Sequence, residues 1–155
     1  MEDDCVEGDI MTKIRVLFLC TGNSARSQMA EAFLRKYGGE RFEAFSAGTE
    51  PQGIHPLTQK VMAEIGIDLK DSRSKSFKDY FGKTYFAYLV IVCSAADKQC
   101  PAIFPGVGAR LVWPFEDPAK KDGTEEEKLG AFREVRDQIS DRLKVWVDIL
   151  NLSIT

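Results

Sequence analysis

The chain is poor in the residues that most often build metal centres, membrane spans and nucleic-acid faces. Its 155 residues include a single histidine, His55, and no group of Cys, His and carboxylate has metal-ligand spacing. No apolar run approaches the roughly 20 residues needed to cross a bilayer. Neither sign of charge dominates: 21 Lys and Arg stand against 24 Asp and Glu, a net charge of −3. A broad basic surface for nucleic acid or an acidic membrane is thereby excluded, and any anion site must be local, made by a loop. Internal repeats and low-complexity segments are missing too. The first ten residues, Met1 to Ile10, are acidic where a secretory signal would be basic and apolar.

These absences lead to an expectation of one cytoplasmic, monomeric domain over residues 13–155. A flexible extension, residues 1–12, precedes it, with Met11 available as an alternative start. Four cysteines in a reducing compartment are not a disulfide framework; they pack, bind metal or do chemistry. Cys5 lies in the extension, where nothing suggests a role.

What is present is a globular composition, 44% apolar and 29% charged. Short apolar runs alternate with helical periodicity, the pattern of βαβ units and a parallel sheet. Ile14 to Leu19 reads as the first strand. Gln28 to Tyr37 is a helix with Ala30, Phe33, Leu34 and Tyr37 on one face, stopped by Gly38-Gly39. Phe42 to Ser46 is a weaker strand, and Pro56 opens a helix that turns Leu57, Val61, Met62 and Ile65 inward before Gly66. Tyr85 to Val92 is a covered strand and Arg110 to Trp113 a fourth. Thr124 and Glu127 form a capping box. The helix they open carries Leu129, Phe132, Val135, Ile139, Leu143, Trp146 and Leu150 along one stripe. The expected fold is α/β: a three-layer sandwich of four parallel strands with helices on both faces. Ligands of such sheets sit at the carboxyl ends of the strands. There Cys20 follows strand one, Ser46 ends strand two, Cys93 follows strand three, and Asp117 lies beyond strand four.

The segment Cys20-Thr21-Gly22-Asn23-Ser24-Ala25-Arg26 is the expected anion site. A cysteine six residues before an arginine is a weak signal alone, but this pair follows a strand directly and opens a helix. In that geometry, loop amides and the helix N-terminus converge on one anion. Gly22 permits the tight turn and Arg26 can grip two oxygens. The field that holds an anion also favours a thiolate, which makes Cys20 a candidate nucleophile, with Ser27 able to hydrogen-bond the sulfur. The Gly-Lys-Ser/Thr ending of a nucleotide P-loop is missing.

Val16 to Glu31 resembles the active-site segment of the low-molecular-weight protein tyrosine phosphatase superfamily, whose fold is flavodoxin-like. Thr21, Ser24 and Gln28 resemble its thioredoxin-coupled arsenate reductase branch; the phosphatase branch typically carries proline where Gln28 stands. The likeness continues through Ser46-Ala47-Gly48-Thr49 and Gly66-Ile67-Asp68 and covers nearly everything from Lys13 onward. It implies that arsenate or phosphate is held by Thr21, Gly22, Asn23, Ser24, Ala25 and Arg26. It also implies catalytic roles for Cys20, Arg26, Ser27, Cys93, Cys100 and Asp117.

Reducing arsenate takes two electrons, which thiols supply by ending as a disulfide. The resemblance implies that a Cys20 thioarsenate adduct is resolved by Cys93, then Cys93 by Cys100, with thioredoxin or a similar dithiol protein regenerating the thiols and no organic cofactor. Seven residues of helix span roughly 10 Å, whereas a disulfide needs Cα atoms within about 7 Å. A helical segment between Cys93 and Cys100 would therefore have to unwind. Trp113-Pro114-Phe115-Glu116-Asp117-Pro118-Ala119 resembles the general-acid loop, with Asp117 as the acid. Ala119 replaces the aromatic that commonly holds an aryl substrate.

Some members of the branch bind potassium beside the loop. The matching positions are Asn23, Glu31, Ser46, Arg73 and Lys75, and a lysine would repel the ion. The expectation is no metal, with the Lys75 ammonium replacing potassium near Asn23, Glu31 and Ser46. Ala25 stands where cysteine is frequent, without consequence for the relay, and His55 is read as structural. The alternative reading is a tyrosine phosphatase working through a Cys20 phosphocysteine. A third, a non-catalytic oxyanion or redox sensor, requires an unreactive Cys20.

Overall fold

The computed structural model describes residues 13–93 and 104–152. The extension 1–12 with Cys5, and Cys100 with its flanking segment, lie outside the described residues.

The sheet has four strands: β1 Ile14–Cys20, β2 Phe42–Gly48, β3 Phe86–Ile91 and β4 Val107–Val112. Their order is β2-β1-β3-β4, and every pairing is parallel. Val16 to Leu19 of the central β1 are fully buried, as expected of a strand covered on both faces. In register, Cys20 lies beside Gly48 and Leu19 beside Ile91. The carboxyl ends of β1, β2 and β3 thus meet at one place.

Three α-helices are described: α1 Arg26–Gly38, α2 Pro56–Ala63 and α3 Glu125–Leu152. Both shorter helices pack on α3. Tyr37 of α1 hydrogen-bonds Ser140, and Arg136 of α3 donates to the Val61 carbonyl and pairs with Glu64. Trp146 of α3 meets the rings of Phe42, Tyr88 and Trp113. Phe45 neighbours Ala44 along β2 and so points to the opposite face, where it packs edge-on against Tyr80, just past the 3₁₀ helix Phe77–Asp79. The result is the three-layer α/β arrangement.

The capping box opens α3 reciprocally: the Thr124 N–H donates to Glu127 Oε1 at 2.8 Å, and the Glu127 N–H to Thr124 Oγ1 at 3.1 Å. Several boundaries move from the sequence expectation. Strand β4 runs over Val107–Val112 rather than Arg110–Trp113, because an edge strand needs no apolar run and Gly108-Ala109 carry little strand signal. Helix α2 stops at Ala63, so Ile65 falls in the following turn, 37% exposed instead of inward. Strand β2 continues to Gly48, which places Ser46 inside it, fully buried, rather than at its end.

Candidate active site

Cys20 ends β1, Arg26 begins α1, and the five residues between them form the loop. Its carbonyls are taken up from outside. The Cys20 carbonyl accepts from the Thr49 N–H at 3.1 Å, Thr21 from Glu50 at 2.8 Å, Gly22 from Gln52 at 2.9 Å and Ser24 from His55 at 3.0 Å. Hydroxyls reinforce two of them, Ser74 on Gly22 and Thr58 on Ser24, each at 2.9 Å. With the negative ends of these peptide dipoles turned outward and satisfied, their positive ends face the concavity. His55 also caps α2 through Nδ1, which accepts from the Leu57 N–H. Gly48 lets β2 run this close: a Cβ there would lie 2.5 Å from the Thr21 carbonyl oxygen and 2.9 Å from the Asn23 nitrogen.

The buried Cys20 sulfur receives the Asn23 backbone N–H at 3.2 Å and lies 2.8 Å from the Ser27 hydroxyl. Asn23 Nδ2 donates to that hydroxyl at 2.8 Å. A carboxamide nitrogen only donates, so Ser27 accepts from Asn23 and its single proton is free for the sulfur. Asn23 has φ 49°, left-handed backbone that presents its N–H to Cys20.

Arg26 spans the mouth of the loop. Its Nη1 donates to the Phe115 carbonyl at 3.1 Å, and its Nη2 lies 3.6 Å from Asp117 Oδ2. The other Asp117 oxygen accepts from the Ala119 N–H, capping the 3₁₀ helix Pro118–Lys120. Cys93 is buried, and its sulfur is 3.6 Å from Thr21 Oγ1. A cleft of about 1250 Å³ is lined by Cys20, Arg26, Cys93 and Asp117 together with Thr21, Gly22, Ser24 and Ala25. Asn23 and Ser27 stand behind it, wholly buried. Ser46 does not reach the cleft.

A family profile for the low molecular weight phosphotyrosine protein phosphatase matches residues 15–153. The chain belongs to that family. It is 47% identical over 137 residues to an arsenate reductase of Oceanobacillus iheyensis, covering 88% of this chain and 96% of that one. A solved arsenate reductase in a phosphate-binding state superposes with a TM-score of 0.70 at 27% identity, over 87% of this chain and 97% of the other. A thioredoxin-dependent arsenate reductase of Corynebacterium glutamicum gives a TM-score of 0.67 at 28% identity, over 95% of this chain and 67% of that one.

Beside the loop of this family member lies a small charge cluster around the buried Glu31. Glu31 accepts from the Ser46 hydroxyl and pairs with Arg35. The Lys75 ammonium lies 3.9 Å from Glu31 and donates to the Arg73 carbonyl at 2.7 Å, while the Lys75 N–H donates to Asn23 Oδ1 at 2.8 Å. Burial pushes the Lys75 pKa down; Glu31 opposes that shift, and Arg35 and Arg73 add to it. Sequence reasoning overlooked the clasp formed by Thr49 to His55, the hydroxyls of Thr58 and Ser74, and the contacts of Gln28. Two signals were available: Gln28, where the phosphatase branch carries proline, and Gly48, which the structure places inside a strand.

Proposed function

We infer that this chain is an arsenate reductase, carried by one observation: a second buried thiol, Cys93, opens onto the same cleft as Cys20. Hydrolysis of a phosphoester needs one nucleophile, whereas reduction needs a pair of thiols. The relatives named above support the same reading.

Arsenate seats on the amides from Thr21 to Arg26 and on the Arg26 guanidinium. The Cys20 thiolate attacks arsenic, and Asp117 protonates the departing oxygen, leaving a Cys20 thioarsenate adduct. Cys93 attacks the Cys20 sulfur; the S–As electron pair stays on arsenic, which leaves as arsenite, and a Cys20–Cys93 disulfide forms. Cys100 then attacks Cys93 and frees Cys20. Thioredoxin or a similar dithiol protein reduces the Cys93–Cys100 disulfide, and no organic cofactor takes part.

Ser27 holds the thiolate through its hydroxyl. The Lys75 ammonium, 3.9 Å from Glu31, stands as the local cation at the position where the family resemblance implies potassium in some members. Weak phosphatase activity through a Cys20 phosphocysteine accompanies reduction, because phosphate matches arsenate in shape and charge. The same reading takes the protein as a monomer working in the cytoplasm, where thiols stay reduced. Among the described residues, no helix is long and apolar enough to cross a membrane.

The test is arsenate-dependent NADPH consumption coupled through thioredoxin and its reductase. Changing Cys20, Cys93 or Cys100 singly to Ser is expected to abolish turnover alike. Loss confined to Cys20→Ser overturns the relay, and a wild type that consumes no NADPH with arsenate leaves the phosphatase.

A further inference from the structure

Gln28, the third residue of α1, is 1% exposed. Its carboxamide nitrogen has two hydrogens and faces three acceptors: the Arg73 carbonyl at 2.9 Å, Asn23 Oδ1 at 3.0 Å and the Asn23 carbonyl at 3.2 Å. Two of these are backbone oxygens, so the amide can be oriented only with nitrogen toward them. Asn23 Oδ1 accepts one further hydrogen bond, from the Lys75 N–H. Lys75 is placed by the segment whose Arg73 carbonyl Gln28 also holds. Gln28 thus supplies one of the two hydrogen bonds that orient the Asn23 carboxamide, while Lys75, which supplies the other, is held separately through its carbonyl by the Gly48 N–H at 2.8 Å.

The consequence runs to the sulfur. Because Asn23 Oδ1 is engaged by Gln28 and Lys75, Nδ2 is turned to Ser27, and Ser27 must aim its proton at Cys20. Because Gln28 also holds the Asn23 carbonyl, the left-handed backbone that presents the Asn23 N–H to the sulfur is fixed from the same point. Donors thus run one way: Gln28 to Asn23, Asn23 to Ser27 and to the sulfur, Ser27 to the sulfur. We propose that Gln28 is a positioning residue for the reaction, setting the reactivity of the Cys20 thiolate through Asn23 without touching sulfur or substrate. This rests on the reading of Cys20 as the nucleophile, but not on arsenate being its target.

The test uses the full chain with Cys5, Cys93 and Cys100 changed to Ser, so that Cys20 is the sole thiol. Its alkylation by iodoacetamide is followed across pH, beside the melting temperature. Gln28→Met, close in shape but without a donor, is expected to slow alkylation at neutral pH about tenfold. At alkaline pH, where any thiol is ionised, the rate should match the parent. Asn23→Ala should slow it comparably, and Gln28→Met should add little in the Asn23→Ala background. Gln28→Asn, which draws the carboxamide back by one methylene, should give the same pattern more weakly and serves if Gln28→Met does not fold. An unchanged neutral-pH rate, equal slowing at both pH extremes, or additive losses with Asn23→Ala each overturn the proposal. Alkylation is read without arsenate, so failure of the reductase reading leaves this outcome legible.

Discussion

Two loops face each other across the cleft, and they are held in opposite ways. From Cys20 to Ser24 the chain is clasped along its length, its carbonyls bound by Thr49, Glu50, Gln52, Gln28 and His55 and two of them by hydroxyls as well. The loop from Pro114 to Asp117 is tied at Phe115, whose N–H reaches the Val92 carbonyl at 3.3 Å and whose carbonyl accepts from Arg26. Its proposed acid, Asp117, keeps a side chain 27% exposed. The difference fits the two tasks proposed for these loops. Dipoles stabilise an anion best when they are already aligned and need not reorganise. A proton donor must be recharged from solvent each cycle, so it gains from exposure. Arg26 belongs to the first loop by sequence and touches the second by its side chain.

Substitutions on each side sharpen this contrast. The largest effect is expected at the acid: Asp117→Asn should lower kcat by about 10²- to 10⁴-fold while leaving Cys20 alkylation unchanged. Single-turnover release of arsenite measures it, and a loss below about tenfold would move the acid role elsewhere, Glu116 being nearest in sequence. On the clasped side, Gly48→Ala should drive a methyl group into the Thr21 carbonyl and Asn23 amide. The expected cost is roughly 1–3 kcal/mol in urea unfolding, with roughly a hundredfold loss of kcat/KM. Near-normal behaviour of Gly48→Ala would mean that the first loop yields as readily as the second.

The smallest effect concerns Lys75, behind the clasped loop. Burial lowers its pKa from the ordinary 10.5, so the folded chain gives up this proton more readily than the unfolded one. Its charge therefore weighs against folding at neutral pH, and stability rises as pH climbs from the lowered value toward 10.5. Lys75→Met should flatten the stability profile over that alkaline window. Wild type should show no potassium-dependent change in melting temperature, and such a change would count against the ammonium as resident cation.

How much of this was legible in the sequence follows from what each part is made of. Strands β1 and β3 and helix α3 were visible because burial imposes apolar runs and stripes on them. Strand β4 was misplaced by three residues at its start because Gly108 and Ala109 do not distinguish an edge strand from a loop. The loop from Cys20 to Arg26 was legible from the spacing of Cys20, Gly22 and Arg26 between a strand and a helix, where the structure places it. Its clasp was not, since Thr49, Glu50, Gln52 and His55 contribute backbone N–H groups that almost any residue has. Gln28 stood out in the sequence only as a mark of the reductase branch, with no contact to explain it; only the fold brings Arg73 to it, 45 residues on.

The clasp also has a consequence for the order in which the site comes into being. Cys20 and Arg26 leave the ribosome well before some of the groups that shape the loop between them, which extend to Ser74 and Lys75. Until that later stretch has docked, the loop carbonyls are free to turn inward and no anion seat exists. A nascent or half-folded chain therefore carries Cys20 as an ordinary thiol without a pocket. Reactivity arrives only with the tertiary fold that can also supply the resolving thiol.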